Sequence, residues 1–176
     1  MSENQDTIMR YLLGYLFGVF MFIILIPFGV FSISSLKVGL FAMPVPAPEV
    51  ARIALSSWLL VLGAVFITWS NFTLFVKGRG GPTDVFGITI SPRTKQLVVS
   101  GPYEYSRNPM VFGVFCAYAS IALFLNSLGG FVIVLLLLSL VLAYIKVIEE
   151  QRLLKDFGDE YVHYRQTIPM FFPYPK

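Results

Sequence analysis

Charge is what this sequence has least of. Only 13% of its 176 residues are Asp, Glu, Lys or Arg, where a soluble domain carries about 25%. That is too little to coat a water-soluble globule, and the mean hydropathy is +0.74. No Asp, Glu, Lys, Arg or His occurs from Tyr11 to Leu36, from Ile53 to Val76, or from Asn108 to Ile145. Cysteine is nearly absent as well. Cys116 stands alone, which excludes an intrachain disulfide and leaves the redox compartment undiagnosed; it reads as a small apolar packing residue. His163 is the single histidine, which excludes a histidine metal cluster. The charge-free runs also count against ion or proton transport, which leaves ionisable residues inside spans. A basic stripe of the kind that binds nucleic acid is missing. The net charge of +3 suits anionic lipid headgroups instead.

What is present is apolar sequence in lengths that match a bilayer. About 20 apolar residues cross the hydrocarbon core as a helix. The first two runs each supply one span, and the third is broken at Asn126-Ser127-Leu128-Gly129-Gly130 into a helical hairpin. The expectation is an all-α integral membrane protein, one domain over 1–176, with about four transmembrane helices (possibly five) near 12–34, 52–75, 110–125 and 129–147. The first run is too long for a signal-peptide core and reads as a retained span. All Lys and Arg except Lys37 and Arg52 fall in the N-terminus, segment 76–107 or the C-terminal tail. The positive-inside rule then places those three parts, both termini included, in the cytoplasm.

Between spans the chain changes character. Met43-Pro44-Val45-Pro46-Ala47-Pro48 cannot be helical and forms an extended turn on the outer face. Segment 76–107 is rich in glycine and proline, with two β-branched runs at Ile88-Thr89-Ile90 and Leu97-Val98-Val99 that can pair as a surface hairpin. A loop this long in a small protein points to function. The last span runs on through Lys146, Glu149, Glu150, Leu153 and Leu154 to Gly158, a C-terminal stop. Asp159 then caps a short amphipathic helix, and Met170-Phe171-Phe172-Pro173-Tyr174 reads as interfacial.

Three clusters carry possible chemistry. Tyr103, Tyr105 and Arg107 gather before Asn108-Pro109-Met110. Asn at N-cap and Pro at the first helical position make a good helix start. The same helix start, with its free N–H groups and Arg107 beside it, suits a carboxylate or phosphate, and the tyrosines suit either a cation or the aromatic belt. In Glu149-Glu150 neighbouring side chains point about 100° apart. One can face the loop while the other is solvated, with Lys146–Glu150 and Glu149–Arg152 as helical pairs. Gly78-Arg79-Gly80 permits close backbone approach or simply a flexible exit from the second span.

In order, the motifs are Gly78-Arg79-Gly80, then Leu97-Val98-Val99-Ser100-Gly101-Pro102-Tyr103, then Arg107-Asn108-Pro109-Met110, a span hairpin, Glu149-Glu150 and Phe157-Gly158-Asp159-Glu160-Tyr161. This order resembles the isoprenylcysteine carboxyl methyltransferase and phospholipid methyltransferase family of integral membrane enzymes, over about residues 55–173. The resemblance implies a membrane helix bundle with S-adenosyl-L-methionine in a cytoplasmic pocket closed by the loop 76–109 and the tail 148–176. By resemblance, Lys95, Gln96, Leu97, Val98, Tyr103, Asn108, Pro109, Met110, Val111 and Glu149 line that pocket, and Gly78 and Gly80 match its Gly-x-Gly. Two departures stand out. Asn108 occupies the usual His position and cannot shuttle a proton at neutral pH. Ile145 stands where the isoprenylcysteine branch has a substrate-contacting Arg four residues before Glu149, which weakens a carboxylate acceptor of that type.

The function expected is methyl transfer from S-adenosyl-L-methionine to a lipophilic or lipidated acceptor, such as an isoprenylcysteine-like carboxylate, a phospholipid amine or a small lipophilic thiol or amine. Catalytic candidates are Arg107, Glu150 and Tyr164. A carboxylate or thiolate needs no base; an amine must lose a proton, with Glu150, Tyr164 and His163 nearby. The rival readings are an NADPH-dependent sterol-type membrane reductase and a non-enzymatic membrane scaffold.

Overall fold

The computed structural model describes Met9, residues 16–78, the backbone of 84–85 and 88–89, and residues 96–174. Four apolar helices dominate it: α1 (Leu16–Ser34), α2 (Glu49–Lys77), α3 (Pro109–Phe124) and α4 (Leu128–Tyr144). Beyond α4 the helix continues through a π-helical segment, Ile145–Glu149, into α5 (Glu150–Thr167). Helices α1, α2 and the continuous Leu128–Thr167 run are long and apolar enough to cross a bilayer. The 16 residues of α3 reach about 24 Å, slightly short of a full span. The protein is thus an all-α membrane bundle of about four helices. Helices α2, α3 and α4 fall within a few residues of the spans expected at 52–75, 110–125 and 129–147.

Pro27 shapes α1. It has no N–H to offer the preceding turn, and the turn before it widens into a π-helix over Phe20–Leu25, with the Ile26 N–H bonded to the Met21 carbonyl. The Phe22 carbonyl then faces Pro27 five residues on and loses its helical donor. In lipid no water can replace it. The Tyr118 hydroxyl of α3 donates to it at 2.7 Å, beside a core of Val30, Tyr118, Ala119 and Val134 that joins α1, α3 and α4.

Helices α2 and α3 lie backbone to backbone. A Cβ on Gly63 would stand 2.7 Å from the Gly113 carbonyl oxygen and 2.8 Å from the Ala117 nitrogen. On the same face of α2, Ser56 donates to the Ser120 carbonyl at 2.8 Å. Arg52 donates to the carbonyls of Leu123 and Phe124 at 2.7 and 2.6 Å. The Phe124 carbonyl is among the orphans at the end of α3, where a cation also favours the helix dipole; the Leu123 carbonyl also accepts from the Asn126 N–H at 3.0 Å. Arg52 is therefore a buried helix cap, not simply a flanking charge.

The hairpin between α3 and α4 turns on Asn126, whose φ is +53°, and its side-chain oxygen accepts from the Val45 N–H at 2.9 Å. That bond ties the proline-rich segment to the hairpin. Ser127 caps α4, accepting from the Gly130 N–H at 3.1 Å. Gly158, at φ +52°, ψ −128°, kinks α5 where the sequence places a stop.

The surface hairpin differs from expectation. Strand β1 (Asp84–Val85) pairs antiparallel with β2 (Ile88–Thr89), Asp84 opposite Thr89 and Val85 opposite Ile88. Residues 97–99 form no strand. A two-residue connection closes with less lost entropy than a longer loop. Leu97 meanwhile packs against Tyr161, Tyr164 and Ile168 of the C-terminal region.

The close approach of α2 and α3 gives a direct test. Gly63→Ala should lower stability by about 1–3 kcal/mol, because its methyl meets backbone that cannot turn aside. Gly29→Ala, with nothing within 4 Å of the new Cβ, should be neutral. Thermal unfolding of the two purified variants in detergent compares them.

Candidate functional site

The site begins where the chain leaves α2. Gly78 caps that helix, its N–H bonded to the Leu74 carbonyl at 2.9 Å. Gln96 returns to the same point and donates to the Lys77 carbonyl, and Lys77 donates to Ser100 at 2.8 Å. Gly101 follows at φ +65°; a Cβ there would stand 3.1 Å from Thr73 Oγ1 and 3.3 Å from Trp69 Nε1. Only a residue without a side chain lets the chain turn this close to α2. A 3-10 turn, Gly101–Glu104, then carries Tyr103 into the interior.

From Tyr103 onward the loop is gripped by α5. Tyr164 donates its hydroxyl to the Tyr103 carbonyl at 2.7 Å. Arg107 reaches Glu150 in an ion pair. The Arg107 and Glu150 side chains are 10% and 8% exposed, so neither charge has much access to water. Arg107 also donates to the Tyr161 hydroxyl at 3.4 Å, and Arg165 approaches the second Glu150 oxygen at 3.6 Å. Glu149 pairs with Arg152 at 3.5 Å and is half-buried.

The two glutamates therefore part as the helical spacing requires, but neither is simply solvated. The expected Lys146–Glu150 pair is not what holds Glu150: Arg107 and Arg165 do. The reason is burial. Glu150 is enclosed at the helix junction while Lys146 is exposed, and an enclosed carboxylate needs an equally enclosed partner.

The start of α3 is left open. Asn108 sits at N-cap but makes no side-chain cap; its amide donates to the Met170 carbonyl at 2.9 Å. Pro109 has no N–H, so Met110 and Val111 carry the first-turn donors that Asn108 does not satisfy. Directly before them, Arg107 Nε is buried with no hydrogen-bond partner among the described residues.

The Tyr164 hydroxyl donates here, and the Tyr161 hydroxyl accepts from Arg107. Burial, then Tyr164 and Glu149, pushes the Tyr103 hydroxyl far above the ordinary tyrosine range. Burial raises Tyr164, against the opposing pull of Arg107. Burial and Glu150 raise Tyr161, with Arg107 again opposing. All three keep their protons at neutral pH.

Of the residues expected at the site, the structure gathers Tyr103, Arg107, Asn108, Pro109, Met110 and Val111 with Glu149, Glu150 and Tyr164. Gly78 and Gln96 form a second group at the end of α2. Leu97 packs on the α5 side, and Val98 is buried. Gly80 and Lys95 lie outside the described residues. Sequence reasoning passed over Ser106, Arg165 and the site contact of Tyr161. Tyr161 had a signal, as the end of the Phe157–Tyr161 motif. Ser106 had none beyond being a serine in a turn.

Glu150→Ala would leave Arg107 buried without its main partner and should cost about 3 kcal/mol of stability. Arg165 is 41% exposed in its side chain, so Arg165→Ala should cost about 0.5 kcal/mol. Thermal unfolding in detergent ranks the two; equal losses would deny the Arg107–Glu150 pair its role.

Residues 51–160 match the family model described as phospholipid methyltransferase. No curated protein matches the chain. The matched range covers more than half of the sequence and runs from α2 through the open start of α3 to the kinked α5. On that match the chain belongs to the phospholipid methyltransferase family, whose members are membrane methyltransferases.

Proposed function

We propose that the protein transfers a methyl group from S-adenosyl-L-methionine to a lipophilic, membrane-associated acceptor, at the face of the bilayer where the loop and the C-terminal segment meet. The observation that carries this reading is the donor set at the start of α3 that has no partner among the described residues. Uncapped N–H groups of Met110 and Val111 lie in sequence beside the orphaned Nε of Arg107. Such a set suits a carboxylate. Across the same loop, Glu149 offers a carboxylate of its own to an ammonium group. A donor set for an anion and an acceptor for a cation fit the two ends of an amino-acid moiety, and S-adenosyl-L-methionine carries one.

In this reading Met110, Val111 and Arg107 hold the carboxylate of the cofactor and Glu149 its ammonium. Tyr103, Asn108, Pro109 and the 96–98 stretch shape the surrounding wall, with Gly78 contributing from the α2 side; Gly80 and Lys95 join the cofactor set by resemblance to the family. When bound, the cofactor supplies an activated methyl group on a sulfonium. The protein binds, orients and excludes water, which is enough for a transfer between two bound partners. Glu150 and Tyr164 act by position: Glu150 by holding Arg107, Tyr164 by holding the Tyr103 carbonyl. A phenol that keeps its proton at neutral pH is a poor base, so an amine acceptor does not lose its proton to Tyr164.

The acceptor class spans phospholipid amines, isoprenylcysteine-like carboxylates and small lipophilic thiols or amines. The excess of Lys and Arg in the loop and tail supports a cytoplasmic site with both termini on that side.

Calorimetric titration of S-adenosylhomocysteine into the detergent-purified protein tests the cofactor. Binding is expected, and no heat of binding at millimolar ligand would sink the reading. Glu149→Ala should weaken that binding about tenfold, the effect of one charge-assisted hydrogen bond. Glu150→Ala should act mainly on stability. An equal or larger loss of affinity for Glu150→Ala would overturn the division of roles.

A further inference from the structure

Ser106 has no part in the cofactor reading, yet it is completely buried. Its hydroxyl works in both directions. It donates to the Phe171 carbonyl at 2.8 Å and accepts from the Asn108 N–H at 3.1 Å. One atom thus joins the C-terminal segment to the residue that starts α3.

We propose that Ser106 is a positioning residue: its hydroxyl seats the segment 168–174 as a strap over the loop and so fixes the ligand-binding shape of the α3 start. This rests on the cofactor reading above for its effect on ligand affinity.

Three further bonds follow the same line. The Arg107 N–H donates to the Pro169 carbonyl at 2.9 Å and the Tyr174 N–H to the Tyr105 carbonyl at 3.0 Å. The Asn108 amide donates to the Met170 carbonyl. Every group the strap contributes to these bonds is backbone. The side chains that recognise it, Ser106 and Asn108, belong to the loop. Its seat is therefore written in the loop, two residues around Arg107.

Phe171 supplies the apolar half of the seat. It is 6% exposed and packs edge-on against Phe112 and Phe115 of α3, with ring centroids 5.7 and 5.8 Å apart. The strap is thus held to the first two turns of α3 by its ring and to the loop by its carbonyls. Removing the Ser106 hydroxyl strands two partners at once, the buried Phe171 carbonyl and the half-buried Asn108 N–H. The Asn108 N–H belongs to the residue whose backbone aims the open turn of α3. This hydroxyl thus links strap and ligand site, beside the Arg107–Pro169 and Asn108–Met170 bonds.

The test compares the full chain, Ser106→Ala, Ser106→Thr, a chain ending at Pro169, and that shortened chain with Ser106→Ala. S-adenosylhomocysteine is titrated into each by calorimetry. Ser106→Ala should raise Kd about tenfold with the stoichiometry unchanged, whereas a merely structural loss would lower the stoichiometry and leave Kd alone. Ser106→Thr keeps the hydroxyl and should restore most of the affinity. The shortened chain should weaken binding at least as much, and adding Ser106→Ala to it should change little. Additive losses, an unchanged Kd in the Ser106→Ala protein, or full affinity in the shortened chain would each overturn the inference. Should Ser106→Ala fail to fold, the shortened chain decides by itself.

Hydrogen exchange reads the strap without ligand. Ser106→Ala should speed exchange at the amides of Arg107 and Tyr174, and unchanged protection there would refute the seat. Faster exchange in a protein that never binds S-adenosylhomocysteine would leave the strap standing, and would overturn both the cofactor reading and the coupling to it.

Discussion

Arg107 and Glu150 meet where neither could stand alone. Both side chains are about nine-tenths buried, and an uncompensated charge in such a place costs several kcal/mol. Their pairing joins the loop before α3 to the junction between α4 and α5. Much of the site follows from that join. It fixes Arg107 with Nε buried and without a partner among the described residues, brings the Tyr103 carbonyl within reach of Tyr164, and leaves Glu149 on the neighbouring helical face. Tyr161 and Arg165 attend the same pair from the far side of the Gly158 kink. The kink therefore lets two stretches of one helix address a single carboxylate.

The two π-helical segments among the described residues stand at places where a helix must release something. In α1 the widened turn before Pro27 frees the Phe22 carbonyl, and Tyr118 takes it. At Ile145–Glu149 the widened turn lies at the passage from the apolar α4 to the polar α5, and it ends on the two glutamates of the site. A π-turn carries an extra residue, which rotates everything after it relative to a continuous α-helix. The direction of Glu150 toward Arg107 is thus a property of that turn as well as of the sequence spacing.

The helices were legible because their signal is simple. Charge-free runs of membrane length, Asn108-Pro109 at a start, and Asn126-Ser127 at a hairpin each have one strong physical reading, and α2, α3 and α4 follow it. The surface hairpin was half legible: Ile88-Thr89 pairs, but with Asp84-Val85 across two residues rather than with Leu97-Val99. Burial against α5 competes for Leu97, and a local pattern carries no information about that competition. Arg52 shows the same limit. Its position at the end of a charge-free run reads as an interfacial charge, whereas its inward turn depends on where the α3 carbonyls end. Ser106 was illegible for a related reason. A serine gives no periodic or motif signal, and its importance arises only when residues 171 and 108 arrive on either side of it.

Asn108 shows how the structure changes the meaning of a sequence departure. Read against the family pattern, Asn in place of His removes a group able to move a proton. In the fold, the Asn108 side chain engages the C-terminal segment. Its amide donates to the Met170 carbonyl, and its failure to cap α3 is what leaves the N–H groups of Met110 and Val111 open. A donor is sufficient for that task, and a side-chain amide is a good donor without any titration near neutral pH. The replacement is thus compatible with a methyl transfer in which the protein contributes orientation and an ordered helix start.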